Sequence, residues 1–279
     1  MISIVKISGR LFLFLSLQLF SIGCNDESKK SIENNNDAAS TTPIINYAVT
    51  KVFPHDTSLF TEGFLVHNGQ LFESTGSPEN LTHTRSLIGT IDLKTGKLAK
   101  KIELDRSKYF GEGIVILKDK LYQLTYKNHV GFIYNLKSFK QIDSFHFSNQ
   151  EGWGLTTNGS ELIMSDGTEN LSFMTAGNIK TVRTLTVIES GIPVDYLNEL
   201  EYINGFIYAN VWKTNFILKI NPASGKVIGK LDLSSLVSEA MNKNPNADVL
   251  NGIAYDANSN AIYVTGKLWS NIYQINFAH

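Results

Sequence analysis

Residues 62–76 read EGFLVHNGQLFESTG and residues 112–126 read EGIVILKDKLYQLTY, and together they decide the fold. Each segment is an apolar strand, a tight turn rich in Asn, Gly or Asp, and a second apolar strand, which is the pattern of a β-hairpin. The same pattern returns at 153–167 (WGLTTNGSELIMSDG), 198–212 (NELEYINGFIYANVW) and 251–267 (NGIAYDANSNAIYVTGK). The sequence therefore contains five copies of one hairpin.

A second hairpin follows the repeated one, for example at 88–104 and at 216–231. Two hairpins per repeat make a four-stranded sheet, and repeats of roughly 40 to 50 residues with four strands are typical of propeller blades. We predict an all-β fold, a five-bladed β-propeller over residues 44–279. An open β-sandwich is the alternative. A short helix is expected at Ser234–Asn242, with Leu236, Val237 and Ala240 on one face.

The ends of the repeat region predict how the ring closes. The fifth repeat stops after its third strand, at 271–277, and an apolar run at 45–53 precedes the first repeat. We expect this N-terminal strand to pair with the last blade as its fourth strand, because pairing protects both sheet edges.

The first 43 residues have a different composition. Lys6 and Arg10 precede an apolar run that ends in Ile22-Gly23-Cys24, which predicts a bacterial lipoprotein signal peptide over 1–24 with lipid attached to Cys24. An uncleaved anchor, or a signal cut nearby, is the alternative. Residues 25–43 are polar and predict a disordered tether. These features predict an exported protein of the cell envelope, in the periplasm or at the outer membrane, held to the membrane through its lipid alone.

Composition excludes several classes of function. The net charge of −1 gives no electrostatic basis for binding nucleic acid. One cysteine excludes an intramolecular disulfide or a cysteine-based zinc site, and the six histidines lack metal-ligand spacing. We therefore expect no metal and no cofactor. A monomer is the expected state.

Repeat-equivalent positions at the start of each copy should form a ring around the mouth of the central channel. The first ring comprises Glu62, Glu112, Trp153, Asn198 and Asn251, and the last positions of the copies give a second ring of Gly76, Tyr126, Gly167, Trp212 and Lys267. These ten residues differ in kind while the apolar positions around them do not, which indicates a functional site. A solvated polar funnel and aromatic blade packing are the simpler explanations.

At these rings the sequence resembles the plant-type glutaminyl cyclases, also called glutamine cyclotransferases, a family also found in bacteria. The matching strings run in order across all five repeats: Phe60-Thr-Glu-Gly-Phe64, Phe110-Gly-Glu-Gly-Ile114, Glu151-Gly-Trp-Gly-Leu155, Asn198-Glu-Leu-Glu-Tyr202, Ala209-Asn-Val-Trp-Lys213 and Val264-Thr-Gly-Lys-Leu-Trp269. The resemblance implies a metal-independent glutaminyl-peptide cyclotransferase that converts N-terminal glutamine of peptides or proteins to pyroglutamate and releases ammonia.

The resemblance also implies roles for particular residues. Glu112 matches the family's proton-shuttling glutamate, and the pocket carboxamide and lysine fall on Asn198 and Lys267. The aromatic walls fall on Phe60, Phe110, Trp153 and Trp212. Two positions depart from the family: Glu62 stands where Gln is common, and Tyr126 where Trp is common. We expect the two carboxyl groups to repel each other and the tryptophans to sandwich the product ring. A non-catalytic surface propeller that binds peptide or glycan, and a metal-dependent propeller hydrolase, are the alternatives.

Overall fold

The computed structural model describes residues 41–279, so the predicted signal peptide and most of the predicted tether lie outside the described residues. Within this range the strands form five four-stranded antiparallel sheets and one two-stranded sheet. The five larger sheets are the blades of a propeller, as predicted. No helix of residues 41–279 is long and apolar enough to cross a membrane.

The blades follow one another in chain order. Blade one contains β2 (Thr61–His67), β3 (Gln70–Thr75), β4 (Leu87–Asp92) and β5 (Lys97–Glu103). Blade two contains β6 (Gly111–Leu117), β7 (Lys120–Thr125), β8 (Val130–Asn135) and β9 (Gln141–His146). Blade three contains β10 (Leu155–Thr157), β11 (Glu161–Ser165), β12 (Asn170–Thr175) and β13 (Thr181–Thr186). A small hairpin then follows, made of β14 (Ile188–Glu189) and β15 (Ile192–Pro193).

Blade four contains β16 (Leu197–Ile203), β17 (Phe206–Val211), β18 (Phe216–Ile220) and β19 (Val227–Asp232). The helix α1 (Ser234–Lys243) comes next and buries Leu236, Val237 and Ala240, the face predicted for it. Blade five contains β20 (Leu250–Asp256), β21 (Ala261–Gly266) and β22 (Asn271–Phe277).

The N-terminal strand closes the ring, as the sequence predicts. Strand β1 (Tyr47–Pro54) pairs antiparallel with β22, from Tyr47 opposite Phe277 to Pro54 opposite Asn271. The chain first passes beside blade four, where Pro43 O accepts a hydrogen bond from Lys230 N at 3.0 Å and Ile45 N donates to Lys230 O at 2.8 Å. The N-terminal run therefore contacts two blades.

The hydrophobic core is divided among the blade interfaces. Five clusters of buried side chains occur, and each joins two blades that are neighbours in the ring. The cluster between blades four and five also takes in the buried face of α1 and Trp269. Because apolar burial is the main favourable term in folding, each blade is stabilised chiefly by its two neighbours.

Candidate active site

Each first-ring residue lies at a β-bulge, where two residues of the inner strand oppose one residue of the next strand. In blade two the register passes from Gly111 opposite Thr125 to Ile114 opposite Gln123, so that two residues face Leu124 alone. Blades one, four and five show the same shift. In blade three, Trp153 N donates to Ser165 O and Ser165 N donates to Gly154 O. Bulges redirect side chains, and here they turn the ring residues out of the regular ladder.

The second residue of each bulge faces the neighbouring blade at close range. It is glycine in four blades, and a Cβ on Gly113 would lie 2.5 Å from Trp153 O. Blade four has Glu199 at this position, and its side chain is buried. One carboxyl oxygen of Glu199 accepts a hydrogen bond from Phe64 N at 3.2 Å, and the other accepts one from Ile253 N at 2.8 Å. Glu199 thus joins blades one, four and five at the channel.

Polar residues opposite the bulges hold the ring residues of the following blade. Ser74 Oγ donates to Glu112 O at 2.6 Å, and Ser165 Oγ donates to Asn198 O at 2.7 Å. Across the closing junction, Asn251 Nδ2 donates to Thr61 O at 2.9 Å. The backbone carbonyl groups of Glu112 and Asn198 are therefore each held by a side chain of the preceding blade, whereas the backbone of Lys267 bonds to Val249 and Asp248 of its own segment.

All nine residues given a catalytic or substrate-binding role line one cavity of about 970 Å³, whereas the ring residues Gly76 and Asn251 do not line it. The nine are Phe60, Glu62, Phe110, Glu112, Tyr126, Trp153, Asn198, Trp212 and Lys267. The carboxyl groups, the carboxamide and the ammonium group are buried, since Glu62, Glu112, Asn198 and Lys267 expose 6% or less of their surface. The structure thus brings the predicted residues together, while their chemical roles stay predictions.

Sequence reasoning missed a third ring, two positions before each first-ring residue. All five members line the cavity: Phe60, Phe110, Glu151, Tyr196 and Val249. Backbone N–H groups of the second ring donate hydrogen bonds to carbonyl oxygens of this third ring, for example from Tyr126 N to Phe110 O and from Trp212 N to Tyr196 O. The repeat alignment that gave the other rings carried this signal too, and it would have added Glu151, Tyr196 and Val249.

Aromatic side chains form the walls of the cavity. Phe110 contacts Phe60 edge to face at a centroid distance of 6.4 Å and lies 5.7 Å from Tyr126. Trp153 and Trp212 meet at 5.6 Å with their planes 84° apart. Two perpendicular rings cannot sandwich a flat product ring, so that expectation is wrong, because the tryptophans pack against each other edge to face.

Glu62 and Lys267 form a buried ion pair. Lys267 Nζ donates to both carboxyl oxygens of Glu62, at 2.6 and 2.7 Å, and lies 4.5 Å from the centre of the Phe60 ring. The sequence predicted repulsion between Glu62 and Glu112 but not this pairing, since it did not show which carboxyl group the lysine faces. Glu112 shares a hydrogen bond with Glu62, so the three groups form one cluster.

Burial and charge set the proton affinities of this cluster. Burial raises the pKa of Glu62 to about 7, although the Lys267 charge acts in the opposite direction. Burial, and then the charge of Glu62, raises the pKa of Glu112 well above its ordinary value. Glu62 has the cation beside it and ionises first, so Glu112 holds its proton more strongly.

Asn198 lines the cavity and is buried. Its side-chain oxygen Oδ1 is buried and has no hydrogen-bond partner among residues 41–279. A buried carbonyl oxygen without a partner is costly, at about 1–3 kcal/mol. This cost accompanies the placement of the Asn198 carboxamide at the cavity wall.

A second buried pair, His55 and Glu73, contacts residues close in sequence to Glu62 and Lys267. His55 Nε2 lies 2.9 Å from Glu73 Oε2, while His55 Nδ1 donates to Trp269 O at 3.0 Å. Glu73 Oε1 accepts from Thr61 Oγ1 at 2.8 Å. This network links the segment that carries Glu62 to the segment that carries Lys267, and so fixes the distance between blades one and five at the site.

Among residues 41–279, no three or more His, Cys, Asp or Glu side chains lie close enough together to hold a metal ion. The cavity therefore offers carboxyl, carboxamide and ammonium groups against aromatic walls. Such a set can move protons and stabilise a developing charge.

Comparison with known proteins decides the class of this site. The sequence profile described as glutamine cyclotransferase matches residues 21–277. The chain belongs to the glutamine cyclotransferase family. A glutaminyl-peptide cyclotransferase of Arabidopsis thaliana is 37% identical over 277 residues, which cover 99% of this chain and 82% of that protein. The crystal structure of Myxococcus xanthus glutaminyl cyclase superposes with a TM-score of 0.77 at 33% identity, covering 84% of this chain and 98% of that one.

As a member of the glutamine cyclotransferase family, the chain is an enzyme rather than a binding propeller without catalysis. The two departures noted in the sequence now have a structural context. Glu62 adds a negative charge that pairs with Lys267. Tyr126 continues the aromatic wall beside Phe110 and carries the Lys127 ammonium group 4.6 Å from its ring centre.

Proposed function

We propose that the chain converts the N-terminal glutamine of peptides or proteins to pyroglutamate, with Glu112 as the proton carrier. One observation carries the proposal: Glu112 is a buried carboxyl group that shares a hydrogen bond with Glu62, which in turn is paired with Lys267. The lysine thus neutralises one carboxylate and leaves the other to exchange protons. The same cavity has the aromatic walls that a small planar ring needs.

The reaction requires one proton to move twice. The α-amine nitrogen attacks the side-chain carbonyl carbon, which forms the ring C–N bond and a tetrahedral intermediate. In its ionised form, Glu112 accepts a proton from the attacking nitrogen and returns it to the side-chain nitrogen, whose C–N bond breaks to release ammonia. A carboxyl group with a raised pKa suits both steps, because proton transfer is fastest when the proton affinity of the catalyst lies near the working pH.

Asn198 and Lys267 complete the proposed chemistry. Asn198 lines the cavity, and its amide nitrogen can donate to the oxyanion of the intermediate. Lys267 gives two of its three N–H bonds to Glu62, which leaves one for the same oxyanion. Because the attack is intramolecular, the enzyme mainly has to hold the side chain folded back on the amine.

The test is ammonia release from a peptide that begins with glutamine, with mass spectrometry of the product. The same peptide with an acetylated N-terminus is the control, since its nitrogen cannot attack. Activity is expected to survive exhaustive treatment with EDTA or phenanthroline. Loss of activity on chelation and recovery with zinc would overturn the metal-independent mechanism, and binding without ammonia release would overturn the proposed reaction.

We also propose that the enzyme is exported and anchored through lipid on Cys24, with peptide substrates as its partners and a monomer as its working form. The basic start, the apolar run and the single cysteine support this. Replacing Cys24 with Ser should move the protein from the membrane fraction to the soluble fraction of the producing bacterium. An unchanged distribution would contradict the lipid anchor, and size-exclusion chromatography tests the monomer.

A further inference from the structure

A second cavity of about 490 Å³ lies beside the catalytic cavity. Asp248 lines both cavities. The backbone of Asp248 is fixed, since its N donates to Lys267 O and its O accepts from Trp269 Nε1, each at 2.8 Å. Its charge contributes to the raised pKa of Glu62. The second cavity therefore begins within electrostatic range of the catalytic carboxyl groups.

The walls of the second cavity are rich in amide and hydroxyl groups. Asn244 is used by the fold, because its Nδ2 donates to Leu268 O at 2.7 Å and its Oδ1 accepts from Asn246 N at 3.1 Å. Thr57, Asn80 and Asn246 also line the cavity; they are exposed to solvent, and their side chains have no hydrogen-bond partner among residues 41–279. The protein thus presents unused donors and acceptors in a concave surface next to its active site.

Amide side chains carry both a donor and an acceptor, which is the complement of a peptide backbone. We propose that this cavity binds the backbone of the residues that follow the N-terminal glutamine. This inference rests on the proposed function, because a peptide whose first residue fills the catalytic cavity must continue outward, and the route past Asp248 leads into this cavity. Backbone contacts are independent of side chains, so broad tolerance of sequence is retained while longer peptides bind better.

The experiment compares glutaminyl-alanine amide with a pentapeptide amide that has four alanines after glutamine. Their dissociation constants are measured by calorimetry on the Glu112→Gln variant, in which turnover is expected to be slower by a factor on the order of 10²–10⁴. The pentapeptide should bind roughly 5- to 30-fold more tightly, as expected for two or three added hydrogen bonds. The double variant Asn80→Ala/Asn246→Ala should remove most of that advantage in the same background.

Asn258→Ala is the matched control, because Asn258 is exposed in the turn between β20 and β21, away from the ring, and should retain the full advantage. Equal affinity for the two peptides, or an advantage that survives the double variant, would overturn the subsite. The two failures are distinguishable: absence of ammonia release by the unmutated enzyme from either peptide rejects the proposed reaction, whereas the affinity ratio alone tests the subsite.

Discussion

At the scale of single residues, the site depends on which of two neighbouring acids is paired with the one buried lysine. Lys267 contacts Glu62 directly, while Glu112 meets the pair through Glu62. The cation therefore compensates Glu62, the carboxyl group to which we assign no proton transfer. This arrangement leaves Glu112 with a raised pKa, and the role proposed for each acid can be tested by one substitution.

Glu112→Gln should lower kcat for ammonia release by a factor on the order of 10²–10⁴, because the amide keeps the shape and cannot carry the proton. Binding of a glutaminyl peptide should change little. The comparison variant is Glu112→Asp, which retains a carboxyl group on a shorter arm and should keep measurable activity. Glu112→Gln with more than about a third of the unmutated rate would reject Glu112 as proton carrier.

Glu62→Gln should leave the enzyme active and shift the acidic limb of its pH profile to lower pH. The Glu62 charge raises the pKa of Glu112, and its removal also leaves the Lys267 charge uncompensated, so both effects lower the pKa of Glu112. A lower pKa keeps Glu112 ionised, and able to accept a proton, at lower pH. The measurement is kcat/KM against pH.

Glu239→Gln removes the same charge from the exposed face of α1 and is the control for net charge. Glu239→Gln should leave the acidic limb of the pH profile unchanged. A limb that stays unchanged in Glu62→Gln would show that Glu62 does not influence the catalytic proton. If protonation of the substrate α-amine sets the acidic limb, that limb would also stay unchanged in both variants. Repeating the pH profile with a substrate whose amine has a different pKa separates these explanations.

At the scale of strands, the sequence predicted the repeated hairpins and the ring positions because alternating apolar residues and turn residues are local signals. The bulges were not predicted, since a two-to-one register exists only between strands and leaves no mark on hydrophobic periodicity. For the same reason Glu199 was missed. In the aligned copies it replaces Gly63, Gly113, Gly154 and Gly252, and the significance of that difference appears only when neighbouring blades meet around the channel.

The pairing of Lys267 with Glu62 was beyond the sequence for a related reason. The two residues come from blades at opposite ends of the chain, and repeat alignment places both at the mouth without giving side-chain directions. The perpendicular tryptophans are another such case, since aromatic content does not fix the angle between rings. Positions on a ring were predictable, whereas contacts across the ring were not.

Deleting residues 44–53 should lower the melting temperature far more than deleting residues 25–40. The first deletion removes most of β1, uncovers the edge of β22 and removes the hydrogen bond from Ile45 N to Lys230 O. The second removes a polar stretch outside the described residues, whose composition predicts little stabilising contact. Differential scanning calorimetry of the two truncated proteins makes the comparison, and equal melting temperatures would contradict closure by β1.

At the scale of the whole molecule, several buried carboxyl groups share one direction of pKa shift. Burial raises the pKa of Glu62 to about 7 and that of Glu201 to about 8, and it also raises those of Glu112 and Glu199. Each group binds a proton more tightly in the folded than in the unfolded chain. Stability from such groups is complete below the ordinary pKa of glutamate and is lost as the pH rises through the folded values.

We therefore expect the melting temperature to be higher near pH 5 than near pH 8. Each additional proton held by the folded state makes the free energy of unfolding fall by about 1.4 kcal/mol per pH unit over this range. Asp105 and Asp232 are exposed acids whose pKa is lowered, so their protonation changes the free energy of unfolding only at more acidic pH. Glu201→Gln should reduce the fall in melting temperature between pH 5 and pH 8. A melting temperature that rises from pH 5 to pH 8 would contradict the protonated state of these groups in the fold.

The pairing of β1 with β22 also has a consequence for the order of synthesis. Strand β1 is made before any blade and its partner after all the others, so the ring stays open until the chain is nearly complete. At translation rates of roughly 5–20 residues per second, β1 waits on the order of 10–50 s with an unpaired edge. The nascent protein must keep that edge from other chains during the wait. Closure is then a single late event, which joins the first strand of the described chain to the last.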